Sequence, residues 1–283
     1  MTESRQLPRV VRDVTVRGIR VRVAEAGSES SPPLVLVHGF LVSHTAFDEV
    51  IERFAERFHV LAPDLVGFGE SEKPSASRYA YGVDAYAEMI ADVVAAFGVG
   101  RSAVLGHGMG GAVALTLAAR HAELVSRLVL VDSLSYAVQL AGRAKLPLLP
   151  LVGAIFFKQL YGRGMFRAHF RDEIFGAGLP PPLARIDRWY ETFNAPSARE
   201  SAYAVMTAMR DVSPIVARLG RVTCPTLVVW GRQDRVFPVA FAQRLAREIR
   251  DARLHVLETG HSPHDEQPEA FVDIVTEFLE GRR

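Results

Sequence analysis

Apolar and polar residues alternate from Val10 to Ala26, with β-branched side chains among them and a glycine at position 18. That pattern predicts two antiparallel strands joined near Gly18. The pattern then changes. Leu34 to Val37 is a continuous apolar run, as expected for a strand buried on both faces. Thr45 to Phe58 carries Phe47, Val50, Ile51 and Phe54 at helical spacing, and His59 to Ala62 reads as a short strand. Val83 to Phe97 predicts a helix stopped at Gly98. Ser102 to Leu105 predicts a strand, Met109 to Ala119 a buried helix rich in small residues, and Arg127 to Val131 a sixth strand. Strands separated by helices of this length argue a parallel sheet with helices on both faces.

The rhythm breaks after Asp132. From Leu134 to Ser213 aromatic residues, prolines and short helical patches replace clean strand runs. This stretch predicts a helical insertion, so the chain divides into a core of 1–133 plus 214–283 and an inserted segment of 134–213. The strand–helix rhythm returns with a strand at Pro225 to Trp230 and a helix at Val239 to Ile249. A strand at Arg253 to Leu257 and a last helix at Pro268 to Leu279 complete it.

Composition narrows the function classes. The chain has 283 residues, 49% of them hydrophobic and 23% charged, which is ordinary for a globular protein. A formal net charge of +1 gives no reason to expect nucleic acid as a partner. A single cysteine, Cys224, excludes an intramolecular disulfide and a cysteine metal cluster. The polar N-terminus lacks a signal-peptide apolar core, and the longest apolar run, Leu146 to Phe157, is too short to span a bilayer. The expectation is a cytoplasmic protein, monomer or homodimer, with no membrane span.

In an open parallel sheet, chemistry collects at the carboxyl ends of the strands. Four such ends stand out. The first is Gly106-His107-Gly108-Met109-Gly110-Gly111, a turn between a strand and a helix with glycine on either side of its central residue. The second is Trp230-Gly231-Arg232-Gln233-Asp234, the third is Glu258-Thr259-Gly260-His261-Ser262-Pro263, and the fourth is His38-Gly39-Phe40. These motifs, in this order and strand context, resemble the α/β-hydrolase superfamily over nearly the whole chain. The resemblance is to the capped branch with GHSMGG-type nucleophile elbows, which includes esterases, lactonases and C–C bond hydrolases. It implies the α/β-hydrolase fold: a mostly parallel, eight-stranded sheet, helices on both faces and a helical cap. It implies His261 as the catalytic histidine, Asp234 as its orienting acid, and the Phe40 and Met109 N–H groups as the oxyanion hole. Asp132 is the alternative acid. Gly67-Phe68-Gly69-Glu70-Ser71 matches a structural loop of the family. The departure is Gly108, which stands where the family has Ser, Cys or Asp.

The parts that remain have chemistry of their own. A histidine of near-neutral pKa shuttles protons, and a carboxylate on its second nitrogen fixes the tautomer and stabilises the imidazolium. Two converging N–H groups hold an oxyanion. Glycine at position 108 removes only the covalent step. It also tolerates a positive φ without cost, and it opens a side-chain-sized space above the turn.

Three readings follow. The first is an enzyme without a covalent nucleophile, carrying out C–C bond-forming addition, cyclisation, elimination or direct attack by water, in small-molecule biosynthesis. The second is a serine hydrolase of esters, lactones or C–C bonds whose elbow serine is replaced by Gly108. The third is a non-catalytic binding protein that keeps the pocket. The aromatic content of the insertion points to a bulky hydrophobic carbonyl compound as the small-molecule substrate. The candidates to line its pocket are His38, Gly39, His44, His107, Ser133, Tyr136, Tyr161 and Trp189. Most insertion aromatics are expected to pack against one another. No metal ion and no nucleotide cofactor are expected, because the glycine-rich turn is an elbow and not a phosphate loop.

Overall fold

The computed structural model describes residues 9–137, 150–175 and 180–282. Its eight strands are β1 (Val10–Val16), β2 (Ile19–Ala26), β3 (Pro33–Val37), β4 (His59–Pro63), β5 (Ser102–His107), β6 (Val125–Val131), β7 (Thr226–Gly231) and β8 (Ala252–Leu257). They form one sheet in the order β1-β2-β4-β3-β5-β6-β7-β8. β1 pairs antiparallel with β2, and β2 antiparallel with β4; every later pairing is parallel. The β1–β2 turn uses Arg17 and Gly18, both at positive φ, the two-residue geometry whose twist suits a hairpin. β3 and β5 have no exposed position beyond the intermediate Pro33, as their unbroken apolar runs require of central strands.

Helices cover both faces. α1 (Ile51–Ala55) and α11 (Pro268–Leu279) pack on one through Phe54 and Phe271. α2 (Val83–Ala96), α3 (Met109–Arg120) and α9 (Ala240–Glu248) pack on the other. α3 sits very close to the sheet: a Cβ on Gly110 would lie 2.1 Å from the Val37 carbonyl oxygen. Only glycine there allows the helix to start directly above β3 and β5.

Between β6 and β7 the described residues form helices and no strand. These are α4 (Pro150–Ile155), α5 (Arg163–His169), α6 (Leu183–Phe193), α7 (Pro196–Ala208) and α8 (Ser213–Val216). α4 and α5 each run on into a π-helical turn, Phe156–Leu160 and Phe170–Ile174. Their aromatics pack mainly on one another, with Phe157 stacked on Tyr161 at 5.3 Å and Phe166 against Phe193 at 5.5 Å. The short α10 (Pro263–Glu266) follows β8. No helix among the described residues is long and apolar enough to cross a membrane.

One expectation needs correction. The helix expected over Thr45 to Phe58 is two pieces, a 3-10 turn at His44–Phe47 and α1. Ser43 accepts from the Thr45 N–H and the turn tightens at Asp48, so the apolar face Phe47–Phe54 is shared between two short elements. The start of the Leu146 to Phe157 run lies outside the described residues.

Candidate active site

The turn at Gly106–Gly110 joins β5 to α3. Gly108 has φ 55° and ψ −117°, a conformation that costs a side-chain-bearing residue about 1–3 kcal/mol. Its peptide is pinned on both sides: its N–H donates to the Val131 carbonyl (2.9 Å), and its carbonyl accepts from Leu134 N–H (2.9 Å). Met109 is the first residue of α3, so its N–H has no intrahelical carbonyl to bond and lies at the positive end of the helix dipole.

His261 faces this turn from the loop after β8. A Cβ placed on Gly108 would stand 3.4 Å from His261 Nε2. Behind the ring, His261 Nδ1 donates to Asp234 Oδ2 at 2.8 Å. The other oxygen of Asp234 accepts from the Val236 and Phe237 N–H groups at 2.7 and 3.0 Å. Burial pushes the Asp234 carboxyl up, but the neighbouring His261 and these N–H donors outweigh it and bring Asp234 below the ordinary aspartate value. The assignment leaves Nε2 as a lone-pair acceptor aimed at the space over Gly108.

The backbone of the histidine loop is held as firmly. His107 Nε2 donates to the His261 carbonyl at 2.8 Å, and the His261 N–H donates to the Ile174 carbonyl at 2.7 Å. His107 is buried, which lowers its pKa to about 3, so it is a neutral donor. Gly231 permits the crossing of the two loops, because a Cβ there would meet the Gly260 carbonyl oxygen at 1.8 Å.

A cavity of about 220 Å³ opens over Gly108. Its core side is lined by Phe40, His107, Met109 and His261. Its other side comes from the helical segment, through residues such as Phe170, Trp189 and Met206. Of the residues expected at the site, Gly108, Met109, Phe40, His107, His261 and Trp189 meet here. Asp234 stands directly behind His261. Gly39 lies against the turn, its Cα 3.8 Å from a Cβ on Gly108.

The remaining candidates do other work. His38 accepts from the Leu65 N–H and donates to the Gly39 carbonyl, so it braces the loop under Phe40. His44 holds the buried Asp64 through Nδ1 at 2.8 Å. Ser133 is buried over Gly111, where a Cβ would come within 2.4 Å of its Oγ. Tyr136 bonds Glu248 at 2.9 Å and packs on Phe241, which fixes it to α9. Tyr161 belongs to the aromatic core of the helical segment. None of these five is among the cavity-lining residues. Periodicity could not separate them from Trp189, because it marks aromatic and polar positions without showing which of them face the cavity. The sequence also gave no sign of Ile174, whose carbonyl holds the His261 amide.

Asp132, Asp234 and His261 are a group of the described residues that each bring one possible ligand atom within 4.8 Å of the others. The 2.8 Å contact between His261 Nδ1 and Asp234 Oδ2 is a hydrogen bond. An imidazole whose Nδ1–H is held by a carboxylate has the geometry of a proton relay.

The family model for the alpha/beta hydrolase fold matches residues 32–268. An uncharacterised protein of Mycobacterium tuberculosis is 32% identical over 99% of this chain and 86% of its own length. A 2-hydroxymuconate semialdehyde hydrolase of Pseudomonas is 29% identical over 99% of this chain and 97% of its own. Among solved structures, the 2-hydroxy-6-oxo-6-phenylhexa-2,4-dienoate hydrolase of Rhodococcus superposes with a TM-score of 0.83 at 26% identity, covering 96% of this chain and 99% of that one. Sheet order, loop positions and sequence agree: the chain belongs to the α/β-hydrolase family.

Proposed function

We propose that this protein is an α/β-hydrolase-fold enzyme that dispenses with a covalent nucleophile. His261, oriented by Asp234, acts as general base on a water molecule, and that water attacks a hydrophobic carbonyl compound. The observation that carries the reading is the 3.4 Å between His261 Nε2 and the Cβ position of Gly108. The place a nucleophilic side chain would take is open, and the proton acceptor faces it. The Phe40 and Met109 N–H groups hold the developing oxyanion, each worth about 3–4 kcal/mol in a preorganised site. His261 then returns its proton to the leaving group. When a triad member is missing, such a site still retains about 10³–10⁴-fold over water.

Addition, cyclisation and elimination would use the same base and oxyanion hole. The hydrolases among the relatives, named for a semialdehyde and an oxo-dienoate, favour water attack on an unsaturated oxo compound. The described helices of the inserted segment, within 150–175 and 180–213, serve as a cap that roofs the cavity, and its apolar lining selects a hydrophobic substrate.

The test is turnover of a panel of oxo-dienoates and phenyl esters in heavy-oxygen water, followed by intact-mass measurement. The expected result is labelled product with no protein adduct, and His261→Ala reduces the rate at least about 100-fold. An acyl adduct on any residue, or full activity in His261→Ala, sinks the reading.

One observation favours a second reading, a serine hydrolase with its nucleophile replaced. The φ and ψ of Gly108 are those of a strained turn that glycine alone does not require. Under that reading Gly108→Ser gains ester hydrolysis and reacts with a fluorophosphonate. Under the leading reading Gly108→Ser fills the water site and lowers native turnover.

A further inference from the structure

Asp132 follows β6 and is completely buried. Its backbone lies at φ 42°, the left-handed region that a non-glycine residue occupies only where its surroundings demand it. That turn sends the carboxyl toward the loops after β7 and β8. One of its oxygens accepts from the Gly231 N–H at 2.9 Å, and the other, Oδ2, has no hydrogen-bond partner. An oxygen of Asp132, an oxygen of Asp234 and a ring nitrogen of His261 all lie within 4.8 Å of one another.

The two carboxyls differ in what supports a charge. Asp234 receives three donors, from His261 Nδ1, Val236 and Phe237. Asp132 receives one. The groups facing Asp132 are Asp234 from the loop after β7, Glu266 from α10 and the Gly231 N–H, with a ring nitrogen of His261 within 4.8 Å. Two buried carboxylates this close cannot both ionise, and the one with fewer donors keeps the proton.

We propose that Asp132 is a positioning residue for His261: the protonated half of a buried carboxyl pair with Asp234, in which the pair holds one negative charge behind the imidazole. The orphan Oδ2 carries the proton, and Asp234 is the acceptor within its reach. Burial and the adjacent Asp234 both push the Asp132 carboxyl well above its ordinary value, in the same direction. The role has two consequences. In the resting protein Asp132 steadies Asp234 in its orientation toward His261. If Asp234 loses its charge, the like-charge repulsion on Asp132 disappears, and Asp132 ionises in its place behind the same ring.

The catalytic meaning of this pair rests on the His261 reading above, but the test does not. His261 is titrated by NMR in the substrate-free protein, so an inactive protein still reports. In Asp132→Asn, which replaces a neutral donor by a neutral donor, the His261 midpoint is unchanged. In Asp234→Asn it falls, and in the Asp132→Asn/Asp234→Asn double variant it falls by about one further pH unit, a tenfold loss of proton affinity. Equal midpoints in Asp234→Asn and the double variant overturn the proposal. So does an Asp132→Asn midpoint as low as that of Asp234→Asn, which makes Asp132 the ionised member. A second measurement needs only the mildest variant. The infrared difference between wild type and Asp132→Asn at neutral pH contains a protonated-carboxyl band if the proposal holds, and its absence overturns it.

Discussion

At the scale of single residues, Gly108 decides most. Its φ of 55° makes any side chain costly, and its missing Cβ leaves His261 Nε2 facing open space. Gly108→Ala separates these effects from chemistry. Alanine adds strain of about 1–3 kcal/mol, read as a lower midpoint in urea unfolding. It also places a methyl 3.4 Å from His261 Nε2, and turnover by water attack is expected to fall with it. Unchanged activity in a folded Gly108→Ala protein argues that the space is not where the reaction occurs. His261, Asp234 and Gly108 were legible from sequence, because each sits at a fixed offset from a strand end. Ser133 occupies a similar offset but packs down onto α3 instead, a matter of side-chain direction that spacing does not carry.

At the scale of elements, the helical segment is tied to the loop that carries His261. Ile174 accepts from the His261 amide, and the Asp172 carbonyl accepts from Arg235 Nη1 at 2.7 Å. On α6, Trp189 Nε1 donates to Thr45 Oγ1 at 2.7 Å, and Arg185 forms a buried ion pair with Asp265 of α10. Burial outweighs Arg185 and holds Asp265 up at about 7. Arg185→Leu is expected to cost about 3 kcal/mol, because it leaves a buried carboxyl without its partner. It should also raise amide exchange in Phe170–Ile174 and α6. The Arg185→Leu/Asp265→Leu pair should recover much of the loss, since an apolar pair leaves no orphan charge. A single variant with wild-type exchange and stability would show that the ion pair does not hold the segment in place. The helices between β6 and β7 were legible as helical patches, whereas their ties to the rest of the molecule join residues up to 144 positions apart.

At the scale of the whole molecule, buried neutral histidines set the acid limit. His38 is fully buried, and its pKa falls from 6.5 to about 4, chiefly by desolvation. Protonation would also break the bond that its Nε2 accepts from Leu65. The unfolded chain binds that proton near pH 6.5 and the folded chain does not. Its contribution is therefore complete above pH 6.5 and is lost as pH falls toward 4, about 3 kcal/mol in all. Asp265, raised to about 7, runs the opposite way, so the difference between variants is the clean measure. His38→Gln should flatten the fall of stability between pH 6.5 and 4 relative to wild type. An identical slope in both would remove His38 as the cause.

The order of the strands, the helices between them and the family were readable from the chain. They follow from hydrophobic period and from glycine at turns, which are local properties of sequence. The separation between His261 and Gly108, the burial of Asp132 beside Asp234 and the hold of Ile174 on the histidine loop were not. Each depends on distances between segments far apart in sequence, and only packing of the finished sheet against its helices sets them. From the sequence alone one reads which titratable groups stand at the strand ends. Tertiary structure decided which of them meet beside one cavity.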